Sequence, residues 1–236
     1  MIFLIPYHTT DAIRIDGVQF MCHEYGMRHV VPQVRHPVTA CRLGDVSEVF
    51  AGIGVSREDS LQRPGDKLPV IGVRDLQDGV VTAREALDTV GFPDLRRAET
   101  YAVRVDDVLV TGRGTLLKFG LVGPETAGAI ASGNVILVRP GPAATGGVLF
   151  AILSSEVFRP KIEVLRRGAT TLLSLSPKDL AKLEIDLPAQ DEQQRIAALV
   201  SDAQTAYRTA IEAAEIRRAL ARRLIDARLF GGNQQH

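Results

Sequence analysis

The chain has 236 residues, 45% apolar and 24% charged, with Lys plus Arg and Asp plus Glu equal at 28 each. That length buries one good core and leaves room for a projecting element, while zero formal charge excludes a binder that relies on a strongly basic overall surface. Two cysteines, Cys22 and Cys41, make no disulfide framework and fit a reducing cytoplasm. No leader pattern opens the chain and no run approaches the ~20 apolar residues of a membrane span, so a cytoplasmic location is expected.

Residues 1–40 are expected to form an N-terminal hairpin extension, because Ala12 to Met21 alternates apolar and polar residues around Asp16-Gly17, a two-residue turn signal. His8, His23, His29 and His36 lie with both cysteines in the first 41 residues, but the close cysteine pair of a structural zinc site is missing and no metal is expected. Residues 41–187 read as one α+β domain, a central mixed β-sheet flanked by short helices. Arg42 to Val49 predicts a short helix and Ala51 to Leu68 a loop. Strands follow near Val70–Val73, Tyr101–Val105, Val108–Thr111, Phe119–Val122 and Asn134–Val138, with Gly-rich turns between them. Val148 to Val157 has helical apolar spacing, and Ser176-Pro177-Lys178-Asp179 reads as a capped helix start with Pro at its first position and an acid two residues on.

Leu183 to Leu187 is a short apolar strand, and after Pro188 the pattern runs without Gly or Pro from about Asp191 to Phe230. A helix of that length would be ~60 Å long and must reach beyond its own domain. Ile196, Val200, Ala203, Tyr207, Ile211, Ala214, Ala221 and Leu224 recur at the spacing of a helix–helix seam. Residues 188–230 are therefore expected to be a partner-binding coiled-coil helix and residues 231–236 a disordered tail.

Between Tyr101 and Ser176, eight Lys or Arg stand against five acids. Arg113 falls in the turn Gly112-Arg113-Gly114-Thr115, flanked by Thr111 and Thr115, where an arginine fork suits guanine and hydroxyls suit base edge or phosphate. Arg74 and Gln77 lie on another turn, Ser132 and Asn134 precede a strand, and Thr170 and Thr171 follow the paired Arg166-Arg167. Asn and Gln suit adenine, and Lys118 and the paired arginines suit phosphate. The third glycine of a dinucleotide loop is replaced by Leu117, so no nucleotide cofactor is expected. Neither a Pro-Pro methyl-transfer motif nor an acid-x-Lys sequence following Pro93-Asp94 is present, so the chain is read as non-catalytic.

Leu187-Pro188 followed by Glu192-Gln193 and Arg195-Ile196 resembles the "leu-pro … glu-gln-x-arg-ile" opening of the long helix in type I restriction-modification specificity subunits. From about Cys41 onward the order of motifs is similar as well. Arg42 to Phe50 resembles that family's opening helix, Leu68 to Asp75 its first strand and turn, and Asp107 to Lys118 its "gly-asp-val-leu-ile-ser-x-x-gly-thr-ile-gly-lys" hairpin. Asp106 stands where a Gly is usual, Leu117 replaces the Gly before the lysine, and Gly168 to Ser176 lacks the family's Pro-Asn. The resemblance implies a half-subunit with one target-recognition domain. It would bind double-stranded DNA at a bipartite site, join separate methyltransferase and restriction subunits, and form an antiparallel homodimer through its helix. Glu192 and Arg195 of the motif join the apolar seam as expected partner contacts. A protein-interaction scaffold of a related phage-defence complex, without DNA readout, is the alternative that zero net charge favours.

Overall fold

The computed structural model describes residues 12–15, 18–21, 37–54, 67–169 and 172–230. The Asp16-Gly17 turn, Thr170, Thr171, the five histidines, Cys22 and the expected tail 231–236 lie outside the described residues. The chain divides into two units, Met1–Pro37 and Val38–His236.

In the first unit, β1 (Ala12–Ile15) and β2 (Val18–Met21) pair antiparallel with Ile15 opposite Val18, the register that a two-residue connection imposes. The second unit begins with β3 (Val38–Arg42), α1 (Leu43–Val46) and β4 (Ser47–Ala51). The expected Arg42–Val49 helix therefore ends early. Val49 and Phe50 are claimed by tertiary pairing in β4, which overrides local helix spacing. Next come β5 (Lys67–Ile71), β6 (Leu76–Gln77), β7 (Gly79–Val81), β8 (Thr89–Gly91) and α2 (Leu95–Glu99). Tyr101–Val105, read above as a strand, makes only an isolated bridge through Ala102 to Ile130.

The hairpin region holds β9 (Val108–Thr111), β10 (Arg113–Gly114), β11 (Phe119–Leu121), β12 (Ile130–Ala131) and β13 (Val135–Pro140). After it stand α3 (Gly146–Ser154), α4 (Phe158–Leu165), β14 (Arg167–Ala169) and β15 (Leu172–Ser174). The chain then forms α5 (Pro177–Ala181), β16 (Glu184–Pro188) and the 41-residue α6 (Gln190–Phe230). Helix α4 was not among the expected elements; its Pro160 falls in the first turn, where proline is tolerated. At α5 the Pro177 start is as expected, but the Ser176 side chain makes no capping bond; Asp179 instead pairs with Lys182 at 3.6 Å.

Among the described residues the central sheet is six-stranded, in the order β4-β13-β9-β11-β7-β6, with β11 and β7 parallel and the other neighbours antiparallel. Its inner strands are buried on both faces. Val108, Val110, Ile136 and Val138 face one core with Val148, Leu149, Leu153 and Ile162 of the helices, while Leu109, Val135 and Leu137 face a second with Ile71, Leu76 and Val81. This explains the uninterrupted apolar runs of β9 and β13, where a one-sided sheet would alternate. Asp107, 1% exposed, closes the base of the β9 hairpin by taking Arg139 Nε at 3.0 Å and a second guanidinium nitrogen at 2.8 Å.

Two departures from the resembled family have local explanations. Asp106 has φ +76°, a left-handed backbone that usually calls for Gly; its carboxylate accepts the Gly146 N–H at 2.8 Å, capping α3. A Cβ on Gly146 would land on the Asp106 carbonyl, so this close approach requires glycine at 146. Leu117 is 4% exposed and fills the core beside Phe119.

Candidate nucleic-acid interface and stalk

Several loops meet on one edge of the domain. The Thr111 hydroxyl accepts the Lys118 N–H at 2.9 Å, closing the loop that follows β9. The Gly112 and Arg113 N–H groups both donate to the Asn134 carbonyl, at 2.8 and 3.0 Å, and Leu175 N–H donates to the Gly112 carbonyl at 2.7 Å. Arg113 stands opposite Ser174 in β15, and Ser174 stands opposite Arg167 in β14. Ser132 N–H donates to the Ile71 carbonyl at 3.0 Å, bringing the end of β5 and its following turn alongside. Arg74, Arg113, Ser132, Asn134 and Arg167 thus come from distant sequence to one lip.

Arg74, Arg113, Thr115, Asn134 and Arg167 are exposed there, and Ser132 is half-buried with a hydroxyl that has no hydrogen-bond partner. Among the described residues Arg113, Arg167 and Lys118 have no carboxylate within ion-pair distance, so their charge is open to an anionic partner. Arg74 differs: Asp88 bonds it directly and Asp75 lies 3.7 Å away, which raises its pKa and offsets its charge. Gln77 is exposed and donates to the Arg74 carbonyl at 3.3 Å. It shares with half-buried Lys118 a neighbouring groove also lined by Phe119, Phe150 and Arg159.

Two expected contact residues prove to be braces. Thr111 is 0% exposed, its hydroxyl spent on the Lys118 backbone. Arg166 is also buried: its guanidinium donates to the carbonyls of Gly114 and Thr115, the latter at 3.3 Å, and to Glu163 Oε2 at 2.8 Å. A side chain 1% exposed cannot meet a phosphate, and of the paired arginines only Arg167 is exposed.

The root of α6 is fixed to its own domain. Gln193, 3% exposed, accepts Thr145 N–H at 3.1 Å and donates to the carbonyls of Ala143 and Pro188, both at 3.0 Å. Gly147 approaches so closely that a Cβ there would sit 2.8 Å from Ala197 Cα and Cβ. Further out, Gln204 donates to the Gly79 carbonyl at 3.0 Å, Tyr207 hydroxyl donates to Asp78 Oδ2 at 2.6 Å, and Arg208 pairs with Glu125. The Asp78 bond also raises the Tyr207 pKa.

This corrects part of the seam. Ile196 packs on the domain core and half-buried Val200 lies on the same helical face, while Ala203, Ile211, Ala214 and Leu224 are exposed. Arg195 reaches Glu192 at 3.2 Å and Asp191 at 3.8 Å along the helix. Beyond Arg208 the helix is exposed nearly throughout, with Ile216, Leu220, Ile225, Leu229 and Phe230 as well as Leu224 bare. Sequence reasoning did not single out Gln193 as an anchor, although it stands inside the glu-gln-x-arg-ile motif; nor did it find Ser174, whose pairing with Arg113 no local pattern announces.

An α+β domain that gathers loop-borne cations on one lip and continues into a long helix has the build of a recognition domain on a stalk. The chain belongs to the family described as type I restriction modification DNA specificity domain, whose model matches residues 37–220. Among solved structures it is similar to a chain from a study of complex assembly and conformational transition of the type I R-M system (21% identity, TM-score 0.52, covering 83% of this chain and 46% of that one). It is also similar to the S subunit of a type I restriction-modification system from M. genitalium (16% identity, TM-score 0.59, covering 87% and 49%). At these identities the likeness is one of fold, and the chain spans about half the length of either structure. No curated protein matches the sequence. Among the described residues no helix is long and apolar enough to cross a membrane.

Proposed function

We propose that this chain is a non-catalytic, sequence-reading subunit of a type I restriction-modification complex, binding double-stranded DNA through the lip around Arg113. The observation that carries the reading is the convergence of unpaired Arg113 and Arg167 with Asn134 and Thr115 in a chain of this family. Arginine offers a two-pronged donor to guanine, Asn can both donate to and accept from adenine, and Thr115 and Lys118 suit the sugar–phosphate backbone. Methyl transfer and cleavage would belong to separate methyltransferase and restriction subunits, which this chain directs to a bipartite site.

The stalk completes the reading. Past Arg208, Ile211, Ala214, Ile225 and Leu229 fall on one helical face and Ile216, Leu220 and Leu224 on another, all exposed. One face suits the helix of a second copy and the other a methyltransferase subunit. In the distal part Arg217, Arg218, Arg222, Arg223 and Arg228 outnumber Glu212, Glu215 and Asp226, whereas toward the root Asp191, Glu192 and Asp202 outnumber Arg195 and Arg208. Antiparallel pairing sets these opposite charges together, and parallel pairing would stack the arginines on their copies. Two domains at opposite ends of such a pair would read a split, palindromic site.

Gel-shift selection from a pool of random duplexes, with and without a partner methyltransferase, tests this. Enrichment of a defined two-part sequence is expected. Methyltransferase binding with no preference among duplexes would support the scaffold reading that zero net charge favours.

A further inference from the structure

We infer that Arg166 is a positioning residue for sequence readout, setting the loop that carries Arg113 and Thr115 from beneath. The inference rests on the DNA reading above. Arg166 ends α4, donating its N–H to the Glu163 carbonyl at 3.1 Å, and its guanidinium turns inward under the β10 turn. There Nη2 donates to the Gly114 carbonyl and Nη1 to the Thr115 carbonyl, and Nη1 also donates to Glu163 Oε2 at 2.8 Å. A rigid planar fork on adjacent carbonyls fixes the 114–115 and 115–116 peptide planes, which flank the Thr115 Cα, and so sets the direction in which Thr115 leaves the backbone and anchors the side of the loop that follows Arg113. The turn needs such a hold. Strand pairing of β10 stops at Gly114 and β11 begins only at Phe119.

Stability alone does not account for the arrangement. Removing a guanidinium from water is costly, and Arg166 Nε is buried with no hydrogen-bond partner. The neighbouring Arg167 remains on the exposed face of β14. Adjacent arginines therefore divide the work, one facing the ligand and one facing the loop.

The test uses the full chain, the duplex selected by the wild type and a scrambled duplex, with Arg166→Lys, Arg166→Gln and Glu163→Gln. Lysine keeps the charge but cannot span two carbonyls. Both Arg166 variants are expected to lose on the order of tenfold in the ratio of specific to scrambled affinity, the scale of one well-aligned base contact. Scrambled-duplex affinity should stay within about 2-fold and the salt slope should not change, since no cationic phosphate ligand is lost. Glu163→Gln should move the ratio in the same direction, and the Thr115 and Leu116 amides should exchange faster in all three. Rescue by lysine, with a slope about one unit lower in the glutamine variant, would make Arg166 a direct phosphate ligand and overturn the inference. Full discrimination by folded variants would overturn it as well. If glutamine prevents folding, the lysine variant decides. A wild type with no preference between the duplexes would instead remove the DNA reading itself, and the inference with it.

Discussion

Arg113 and Lys118 occupy one loop but are expected to act differently. Arg113 is exposed, with only its backbone engaged in structure, so Arg113→Ala should cost ~1–3 kcal/mol of specific DNA binding with little change in Tm. Competition binding together with thermal melting checks both halves, and undiminished discrimination would remove Arg113 from the interface. Lys118→Ala should weaken all duplexes alike and lower the salt slope by about one, as loss of a phosphate contact does. Asp107 provides the stability counterpart. It is 1% exposed and holds Arg139, which is 12% exposed, through two guanidinium nitrogens. Asp107→Ala leaves that cation buried without its partner and is expected to destabilise the domain by ~3–5 kcal/mol in denaturant melts.

At the scale of elements, the contact that matters most for assembly is α3 against the root of α6. Gly147 permits backbone-close packing on Ala197, and Gln193 fastens the same corner through three backbone groups. Gly147→Leu should force the helices apart at a cost of ~1–3 kcal/mol. It should also raise amide exchange from Gln193 to Arg208 more than in β9 and β13. Equal loosening everywhere would mean that the corner is no more than ordinary core.

For the whole molecule, the proposed homodimer rests on the distal α6. Leu224 and Ile225 are 60% and 56% exposed and lie on its two apolar faces. Leu224→Asp with Ile225→Asp should give a monomer with an intact domain by light scattering and circular dichroism. Val200 is a poor place for this test, since it lies on the face turned to its own domain and a charge there would disturb the fold as well. A wild-type monomer at micromolar concentration would leave another chain's helix as the cover for these faces.

The sequence alone determined the elements that local chemistry specifies. Asp16-Gly17 between alternating residues forecast the pairing of Ile15 with Val18, the apolar run Val108–Thr111 forecast β9 to the residue, and an unbroken helical pattern forecast α6. Arg113 between its glycines is exposed as expected, but it sits in the short strand β10 opposite Ser174, where a turn was expected. Tertiary structure decided what depends on the neighbour. Val49 and Phe50 became strand because β13 was there to pair them. Thr111 and Arg166 became braces because they bond to backbone groups, which every residue carries and no pattern advertises. The helical stripe along α6 carries the same spacing from Ile196 to Leu224, but only packing determined that its first turns lie on this domain while its last stay exposed. Periodicity records that a face is apolar; whether the chain itself covers it is fixed by the fold.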